Sequence, residues 1–171
     1  MASRHTSKLN KRLVVLRHAS SGPAVGGAGD HARSLDSSGV RSVPVVGARL
    51  AQLGWKPQMV MSSNATRTKQ TWMEMAESLG GEVTPEFRPE LYLAEPSQIV
   101  TALAVVPAEV ETVMIIGHNP GLEELLDELC RVRVRMVPCT AALLEIDADD
   151  WASASVRADW HLDTVLRPDA L

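Results

Sequence analysis

Leu13-Val14-Val15-Leu16-Arg17-His18-Ala19-Ser20-Ser21-Gly22 is the stretch that decides the fold. Its four apolar residues, two of them β-branched, predict a short buried strand. Arg17 and His18 follow at once, and ligands of open α/β sheets bind in the crevice outside the carboxyl ends of the strands. Taken alone, the pair fits a ligand site and a solvated surface turn equally well. The rest of the chain decides between the two.

Two further apolar segments also run into polar side chains. Residues 58–63 predict a second core strand, which leads directly into a helix with Arg67 near its first turn. Thr112–Gly117 predicts the clearest buried strand, followed by His118 and by a helix that starts near Pro120. A helix N-terminus presents free N–H groups and a positive dipole end to an anion. Three strands that end in this way favour a ligand site over coincidence.

Composition limits the classes of protein to be considered. The chain has 171 residues, 45% of them hydrophobic and 22% charged, which is typical of one soluble globular domain. A net charge of −4 argues against a nucleic-acid partner, although it permits a local cationic pocket. Cys130 and Cys139 are too few for a disulfide framework and do not form a zinc-like pattern. We therefore expect a cytoplasmic protein.

The two ends of the chain differ in character. Residues 1–12 are polar and basic and lack the apolar core of a signal peptide, so they predict a disordered tail. Residues 13–171 contain no linker and no repeat and predict a single domain. No apolar run approaches the roughly 20 residues needed to span a bilayer, so no membrane partner is expected.

The remaining segments predict further helices and strands. Residues 20–30 match neither common nucleotide-binding pattern and are interpreted as a mobile rim. A helix is predicted from about Ser37 to Gly54, where Pro44 removes a hydrogen bond unless it lies in the first turn. The other predictions are an edge strand at Val83, a helix from Pro96 to about Val106, a strand over 139–146 and an antiparallel return over 156–161.

A pocket with two histidines and two arginines suits a phosphoryl group. Guanidinium groups bind phosphoryl oxygens bidentately, and nearby positive charge keeps an imidazole neutral near neutral pH. A neutral imidazole can attack phosphorus and form a phosphohistidine, which water then hydrolyses. This chemistry needs no metal and no other cofactor, and none is expected.

Three motifs in this order resemble those of the histidine phosphatase superfamily. They are Leu16-Arg17-His18-Ala19, the segment Ser62-Ser63 with Arg67-Thr68 and Gln70-Thr71, and Gly117-His118-Asn119-Pro120. The resemblance implies a phosphoglycerate-mutase-like α/β fold, a three-layer α/β/α arrangement around a mostly parallel sheet. It also implies His18 as the nucleophile, with Arg17, Arg67 and His118 binding the phosphate.

The bacterial phosphohistidine phosphatase branch is the part of the superfamily that the chain resembles most. Asp30-His31-Ala32-Arg33-Ser34-Leu35 is similar to a segment of that branch, which implies Arg33 as a further phosphate ligand. Ser34 stands where that branch usually has proline, so the geometry of this loop is open. Ala19 replaces the usual glycine of the superfamily, as it often does in this branch.

The general acid is the least determined part of the predicted site. Members that cleave phosphate esters commonly use a carboxylate downstream of the second motif, and Glu90 in Pro89-Glu90-Leu91-Tyr92 is the nearest candidate. An imidazole leaves phosphorus more easily than an alkoxide does. A phosphohistidine phosphatase can therefore work without a well-placed acid.

The sequence leaves three functions open. A phosphatase acting on phosphohistidine in a phosphorylated protein is the first, because the chain has little sequence left for a large lid. The second is a phosphomonoesterase or mutase acting on a small phosphorylated molecule. The third is a non-catalytic phosphate-binding module, which the presence of both histidines disfavours because binding alone needs no nucleophile.

Overall fold

Strands and helices alternate through most of the chain. The computed structural model describes residues 10–157 and 159–171. The strands are β1 (Lys11–Arg17), β2 (Met59–Ser63), β3 (Glu86–Arg88), β4 (Thr112–Gly117), β5 (Ala141–Ile146) and β6 (His161–Leu166). The α-helices are α1 (Ser37–Gln52), α2 (Thr66–Ala76), α3 (Pro96–Ala104), α4 (Gly121–Cys130) and α5 (Trp151–Val156). Short 3₁₀ turns cover Asp30–Ala32, Glu77–Leu79, Pro89–Leu91 and Pro168–Ala170.

The six strands form one sheet in the order β3-β2-β4-β1-β5-β6. β1 and β2 both pair with β4 in parallel, and β3 pairs with β2 in parallel. β5 runs antiparallel to both β1 and β6, so it alone opposes the common direction. The register sets Arg17 opposite Gly117 and Ser62 opposite Ile116. The carboxyl ends of β1, β2 and β4 therefore meet at one edge of the sheet.

The alternation of side chains along β1 supplies both faces of the sheet with core residues. Leu13 and Val15 pack in the cluster that contains α3, α4 and α5, whereas Val14 and Leu16 pack in the cluster that contains α1 and α2. All four are completely buried, and full burial of such a side chain stabilises the fold by about 1.5–3 kcal/mol. These two layers of helices confirm the predicted three-layer α/β/α fold with a mostly parallel sheet.

A close approach of backbones explains the glycine at the start of α1. A Cβ atom at Gly39 would lie 2.1 Å from the carbonyl oxygen of Ser20. Asp36 caps the helix by accepting a hydrogen bond from the Gly39 N–H at 2.8 Å, and it also accepts one from the Ser20 hydroxyl. The loop after His18 is thereby fixed to the beginning of α1. The helix then continues through Pro44, and Gly54 follows it with a positive φ, as predicted.

The N-terminal boundary of the domain is different from the predicted one. Residues 1–9 of the predicted tail lie outside the described residues, and β1 already begins at Lys11. The Lys11 ammonium donates to the carbonyl of Ala108, and Arg12 pairs with Glu145 at 3.0 Å. The basic side chains at 11 and 12 therefore find partners in the sheet and its neighbouring loop, which composition alone does not reveal.

Two predicted strands are wrong. The edge strand lies at Glu86–Arg88 and not at Val83, because β2 has partners for residues 86–88. The predicted return over 156–161 overlaps α5, whose first turn Asp150 caps by accepting from the Ser153 N–H at 2.7 Å. The antiparallel strand therefore starts only at His161. Within the described residues, no helix is long and apolar enough to cross a bilayer.

Candidate active site

The carboxyl edge of β1, β2 and β4 carries a cavity of about 350 Å³. All five histidine and arginine residues predicted for the site line it: Arg17, His18, Arg33, Arg67 and His118. The other lining residues are Ser20, Ser21, Asp30, Leu93, Asn119 and Pro138. The structure thus brings the three predicted motifs together around one cationic cavity.

His18 is held by its backbone on both sides. Its N–H donates to the Gly117 carbonyl at 3.2 Å, and its own carbonyl accepts from the Cys139 N–H at 3.0 Å. In the ring, Nδ1 lies 2.8 Å from the Ala19 carbonyl, which can only accept, so Nδ1 carries the proton of the neutral ring. Nε2 therefore has a lone pair, and Arg67 Nε lies 3.3 Å from it.

The surroundings of His18 favour its neutral form. Burial is the main cause and the charges of Arg67, Arg17 and Arg33 add to it, which together lower the pKa of His18 from 6.5 to about 4. Only 7% of the residue is exposed, so little water screens these charges. At neutral pH the ring is an uncharged base with an available nitrogen.

Arg67 makes hydrogen bonds to both histidines of the cavity and to Asp30. It lies in the first turn of α2 and is 2% exposed. Its Nε donates to His18 and its Nη1 donates to the Asp30 carbonyl at 2.8 Å. Its Nη2 donates both to the Asp30 carboxylate at 3.0 Å and to His118 Nδ1 at 3.2 Å. The helix start predicted from the sequence therefore aims this side chain into the cavity.

His118 follows β4 and faces His18, with 5.3 Å between the ring centroids. Because Nδ1 accepts from Arg67, Nε2 donates to the Ser63 hydroxyl at 2.8 Å. Burial, followed by the effects of His18 and Arg67, lowers the pKa of His118 to about 3. A hydroxyl can also donate, so Ser63 can accommodate the other neutral tautomer, in which Nδ1 carries the proton and can donate to a bound anion.

Arg17 enters the cavity from the end of β1. Its Nη1 donates to the Met136 carbonyl at 2.8 Å. Its buried Nε has no hydrogen-bond partner among the described residues, a state that is rare for a buried donor. Burial lowers the pKa of Arg17, and the opposing influence of Glu123 raises it. Arg17 is thus a fixed cation with a donor still to be satisfied.

Asp30 and Tyr92 belong to the site although sequence reasoning did not select them. Asp30 Oδ1 pairs with Arg33 at 3.0 Å and Oδ2 pairs with Arg67 at 3.0 Å, while the Tyr92 hydroxyl also donates to Oδ2. The Tyr92 hydroxyl and Arg33 hold the pKa of Asp30 well below its usual range. The spacing of Asp30 and Arg33 was a visible signal for this pair, whereas nothing local marks Tyr92.

Arg33 reaches the cavity from its loop. Its Nε donates to the Gly22 carbonyl at 2.8 Å and its Nη2 donates to the Ser21 hydroxyl at 2.9 Å. These contacts, together with the ion pair to Asp30, fix the loop despite Ser34 in the usual place of proline.

Glu90 is the predicted site residue that the structure does not bring to the cavity. It lies in the 3₁₀ turn Pro89–Leu91, its side chain is 54% exposed, and its carboxylate is 3.9 Å from Arg88. The turn buries Leu91 and leaves Glu90 in solvent. The carboxylate that lines the cavity is therefore that of Asp30 and not that of Glu90.

The lowered pKa values of the two histidines predict a loss of stability in mild acid. The unfolded rings take up protons near pH 6.5, whereas the folded His18 does so only near pH 4 and His118 near pH 3. Between the pKa of the unfolded rings and that of the folded rings, the unfolded state binds more protons. The unfolding free energy therefore decreases as the pH is lowered, by about 1.4 kcal/mol per pH unit for each ring. Urea denaturation at several pH values between 7 and 4 measures the slope.

A variant with glutamine at both His18 and His118 is expected to show a shallower slope. The matched control is His161→Gln, because His161 is exposed on β6. Equal slopes in the wild type and the double variant would mean that folding does not change the pKa of either ring.

Comparisons with known proteins agree with this geometry. No family model matches the chain. It is 32% identical to an uncharacterized chloroplastic protein of Arabidopsis thaliana, covering 99% of this chain and 83% of that one. A structure assigned by name to the phosphohistidine phosphatase SixA of Nakamurella multipartitia is 30% identical, with a TM-score of 0.79 over 92% of this chain and 96% of that one.

A second structure assigned to SixA, from Agrobacterium tumefaciens, is 25% identical, with a TM-score of 0.77 over 93% of this chain and 99% of that one. The likeness therefore extends over nearly the whole chain. With nearly complete coverage and up to 30% identity to these structures, the chain belongs to the histidine phosphatase superfamily and has its phosphoglycerate-mutase-like fold.

Proposed function

We propose that this protein is a phosphatase that removes the phosphoryl group from phosphohistidine in a protein, through a phosphohistidine intermediate on His18. The observation that carries the proposal is the Nε2 lone pair of a buried, neutral His18 in a cavity lined by three arginines. A binding module would need the arginines but not the nucleophile. The named relatives that are similar to this chain support the same substrate class.

In the first step, His18 Nε2 attacks the phosphorus atom and the bond from phosphorus to the leaving nitrogen breaks. The electron pair of that bond leaves with the substrate imidazole, which departs as a neutral ring because its other nitrogen carries a proton. Arg67 gives up its hydrogen bond to Nε2 as the new N–P bond forms, and its guanidinium then faces the phosphoryl oxygens. Arg17 lines the same cavity and adds a further positive charge, so the charge on the equatorial oxygens is stabilised in place.

In the second step, a water molecule attacks the phosphorus atom and the bond to His18 Nε2 breaks. The Ala19 carbonyl keeps Nδ1 protonated throughout, so the departing ring regains its neutral form without moving that proton. In its other neutral tautomer, with the proton on Nδ1 and the Ser63 hydroxyl donating to Nε2, His118 donates to the phosphoryl group in both steps, and Arg67 no longer donates to Nδ1. The product is inorganic phosphate and the enzyme returns to its starting state.

The cavity has no protonated carboxyl group among the described residues, and this favours a substrate with a nitrogen leaving group. An alkoxide needs a proton to depart, and general acids supply about 10²–10⁴-fold of rate. Among the described residues, Asp30 is the only carboxylate that lines the cavity, and its lowered pKa keeps it deprotonated. An imidazole leaves without that help, so the available groups suit phosphohistidine better than an alkyl phosphate.

The test is a panel of substrates assayed in buffer with a metal chelator. It compares a protein carrying phosphohistidine, para-nitrophenyl phosphate, 3-phosphoglycerate and a sugar phosphate, with His18→Ala as the blank. We expect kcat/KM to be highest for the phosphohistidine protein, by at least about 100-fold, which is the low end of the contribution of a general acid. Comparable or higher values for a small phosphate ester would favour a phosphomonoesterase instead.

Glu90→Gln is expected to leave the hydrolysis of phosphohistidine and of an alkyl phosphate within about twofold of the wild type, because its carboxylate lies outside the cavity. Steady-state kinetics on both substrates provides the measurement. Glu86→Gln is the matched control, since Glu86 also pairs with Arg88. A large loss on the alkyl phosphate alone would restore Glu90 as a general acid.

A cytoplasmic location completes the proposal. Cys130 and Cys139 are both free thiols, and free thiols persist best in a reducing compartment. Fractionation of the source cells, followed by detection with an antibody, tests this assignment.

A further inference from the structure

Asp30 accepts hydrogen bonds from the arginine N–H groups that a phosphoryl anion in this cavity would use. Its carboxylate bridges Arg33 and Arg67 with one oxygen on each, both at 3.0 Å, and its backbone carbonyl accepts from Arg67 as well. Guanidinium groups bind a carboxylate and a phosphate through the same N–H donors. The resting cavity therefore already contains an anion, and that anion is part of the chain.

The donors of Arg67 show that the resting contacts cannot all persist. A guanidinium has five N–H donors. Four contacts already use them: one to His18, two to Asp30 and one to His118. An incoming phosphoryl group that takes two oxygens to Arg67 must displace at least one acceptor.

Asp30 is the acceptor best placed to yield. Its side chain is 46% exposed, whereas His18 and His118 are 7% and 3% exposed. His118 is also held from behind by Ser63 at 2.8 Å. The loop before Asp30 has free space: a Cβ at Gly22, Gly26, Gly27 or Gly29 would meet no atom within 4 Å. Movement of the carboxylate away from Arg67 therefore disturbs no packed core.

We propose that Asp30 is a displaceable counter-ion, which positions Arg33 and Arg67 in the resting enzyme and competes with the phosphoryl group for them. The inference rests on the proposed function, since it concerns the same cavity. The incoming phosphoryl oxygens replace the carboxylate on Arg67, and the carboxylate returns as inorganic phosphate leaves. Asp30 thus weakens the binding of product and keeps the buried guanidinium paired between turnovers.

Asp30→Asn separates this role from a structural one. Asparagine has nearly the same shape and can still accept from Tyr92, but it has no charge to oppose an anion. We expect inorganic phosphate to bind about tenfold more tightly, KM to fall by a similar factor and kcat to fall with slower product release. A residue that only orders the loop would change these constants in the opposite direction, because misplaced arginines bind phosphate more weakly.

The experiment measures inorganic phosphate binding by calorimetry and product inhibition in the wild type, Asp30→Asn, Asp30→Glu and Asp163→Asn. Asp30→Glu restores the charge and is expected to return phosphate affinity to within about threefold of the wild type. Asp163→Asn is the control for net charge, since Asp163 is exposed on β6 and does not line the cavity. Circular dichroism verifies that each variant is folded.

The outcomes separate the two proposals. Unchanged or weaker phosphate binding in Asp30→Asn, with binding intact in the wild type, would overturn the role of Asp30 alone. Equal tightening in Asp163→Asn would assign the effect to net charge and overturn it as well. A folded wild-type protein and a folded Asp30→Asn variant that both bind no phosphate would overturn the proposed function and this inference with it.

Discussion

His18→Ala is expected to reduce turnover of the phosphohistidine substrate by at least about 10³-fold, because no other described side chain offers an unprotonated nitrogen at the same position. The backbone contacts of residue 18 to Gly117 and Cys139 do not involve the ring, so the fold is expected to persist. Steady-state rates and far-UV circular dichroism measure the two effects. The phosphoenzyme provides a second readout: rapid acid-free quenching with labelled substrate should trap label on the wild type and none on the variant.

His161→Ala is the matched control for this experiment. It removes an imidazole from an exposed position on β6 and is expected to keep full activity and full labelling. Retention of labelling in His18→Ala would place the covalent intermediate on another residue, and retention of turnover without labelling would indicate direct attack by water.

Arg67→Ala is expected to lower kcat/KM by about 10³-fold and to weaken inhibition by tungstate, which mimics the bound phosphoryl group. The substitution removes the group that contacts both histidines and that the proposed mechanism places against the phosphoryl oxygens, and each charge-assisted contact contributes on the order of 1.5–3 kcal/mol. Tungstate inhibition constants and steady-state kinetics give the measurements. Arg67→Lys is expected to restore only part of the loss, since an ammonium cannot replace the planar fork.

Lys69→Gln is the control for charge on the same helix. Lys69 lies two residues further along α2 and stacks on Phe87, 5.4 Å from the ring centroid, away from the cavity. If Arg67→Ala and Lys69→Gln had the same inhibition constant for tungstate, Arg67 would not be a phosphoryl ligand.

The apolar strands are the part of the fold that the sequence predicts best. Thr112–Gly117 has the predicted bounds, because a short, continuous apolar run rich in β-branched residues is typical of a strand buried on both faces. The predicted edge strand at Val83 and the predicted return over 156–161 were wrong for a physical reason, since β3 and α5 stand in their neighbourhood instead. β3 is three residues long and exists through its pairing with β2, and α5 depends on the cap from Asp150 and on the burial of Trp151. Neither element has a local sequence pattern that predicts it.

The same distinction separates the site residues that were predicted from those that were not. Arg17, His18, Arg67 and His118 each follow a recognisable strand or begin a helix, so the topology of an α/β sheet brings them together. The contact of Tyr92 with Asp30 spans 62 residues of sequence and is made between two loops. Glu90 shows the converse, because a 3₁₀ turn decides which of two adjacent side chains is buried.

The position of β1 between β4 and β5 has a consequence for synthesis of the chain on the ribosome. The arginines and histidines of the three motifs have all been made once residue 118 is in place, but the central strand then has a partner on one side only. The second partner of β1, and the Cys139 N–H that holds the His18 carbonyl, come more than twenty residues later. Pairing across such long separations costs loop-closure entropy before any contact compensates for it. The nascent chain therefore completes the cavity only after residues 139–146 have left the exit tunnel.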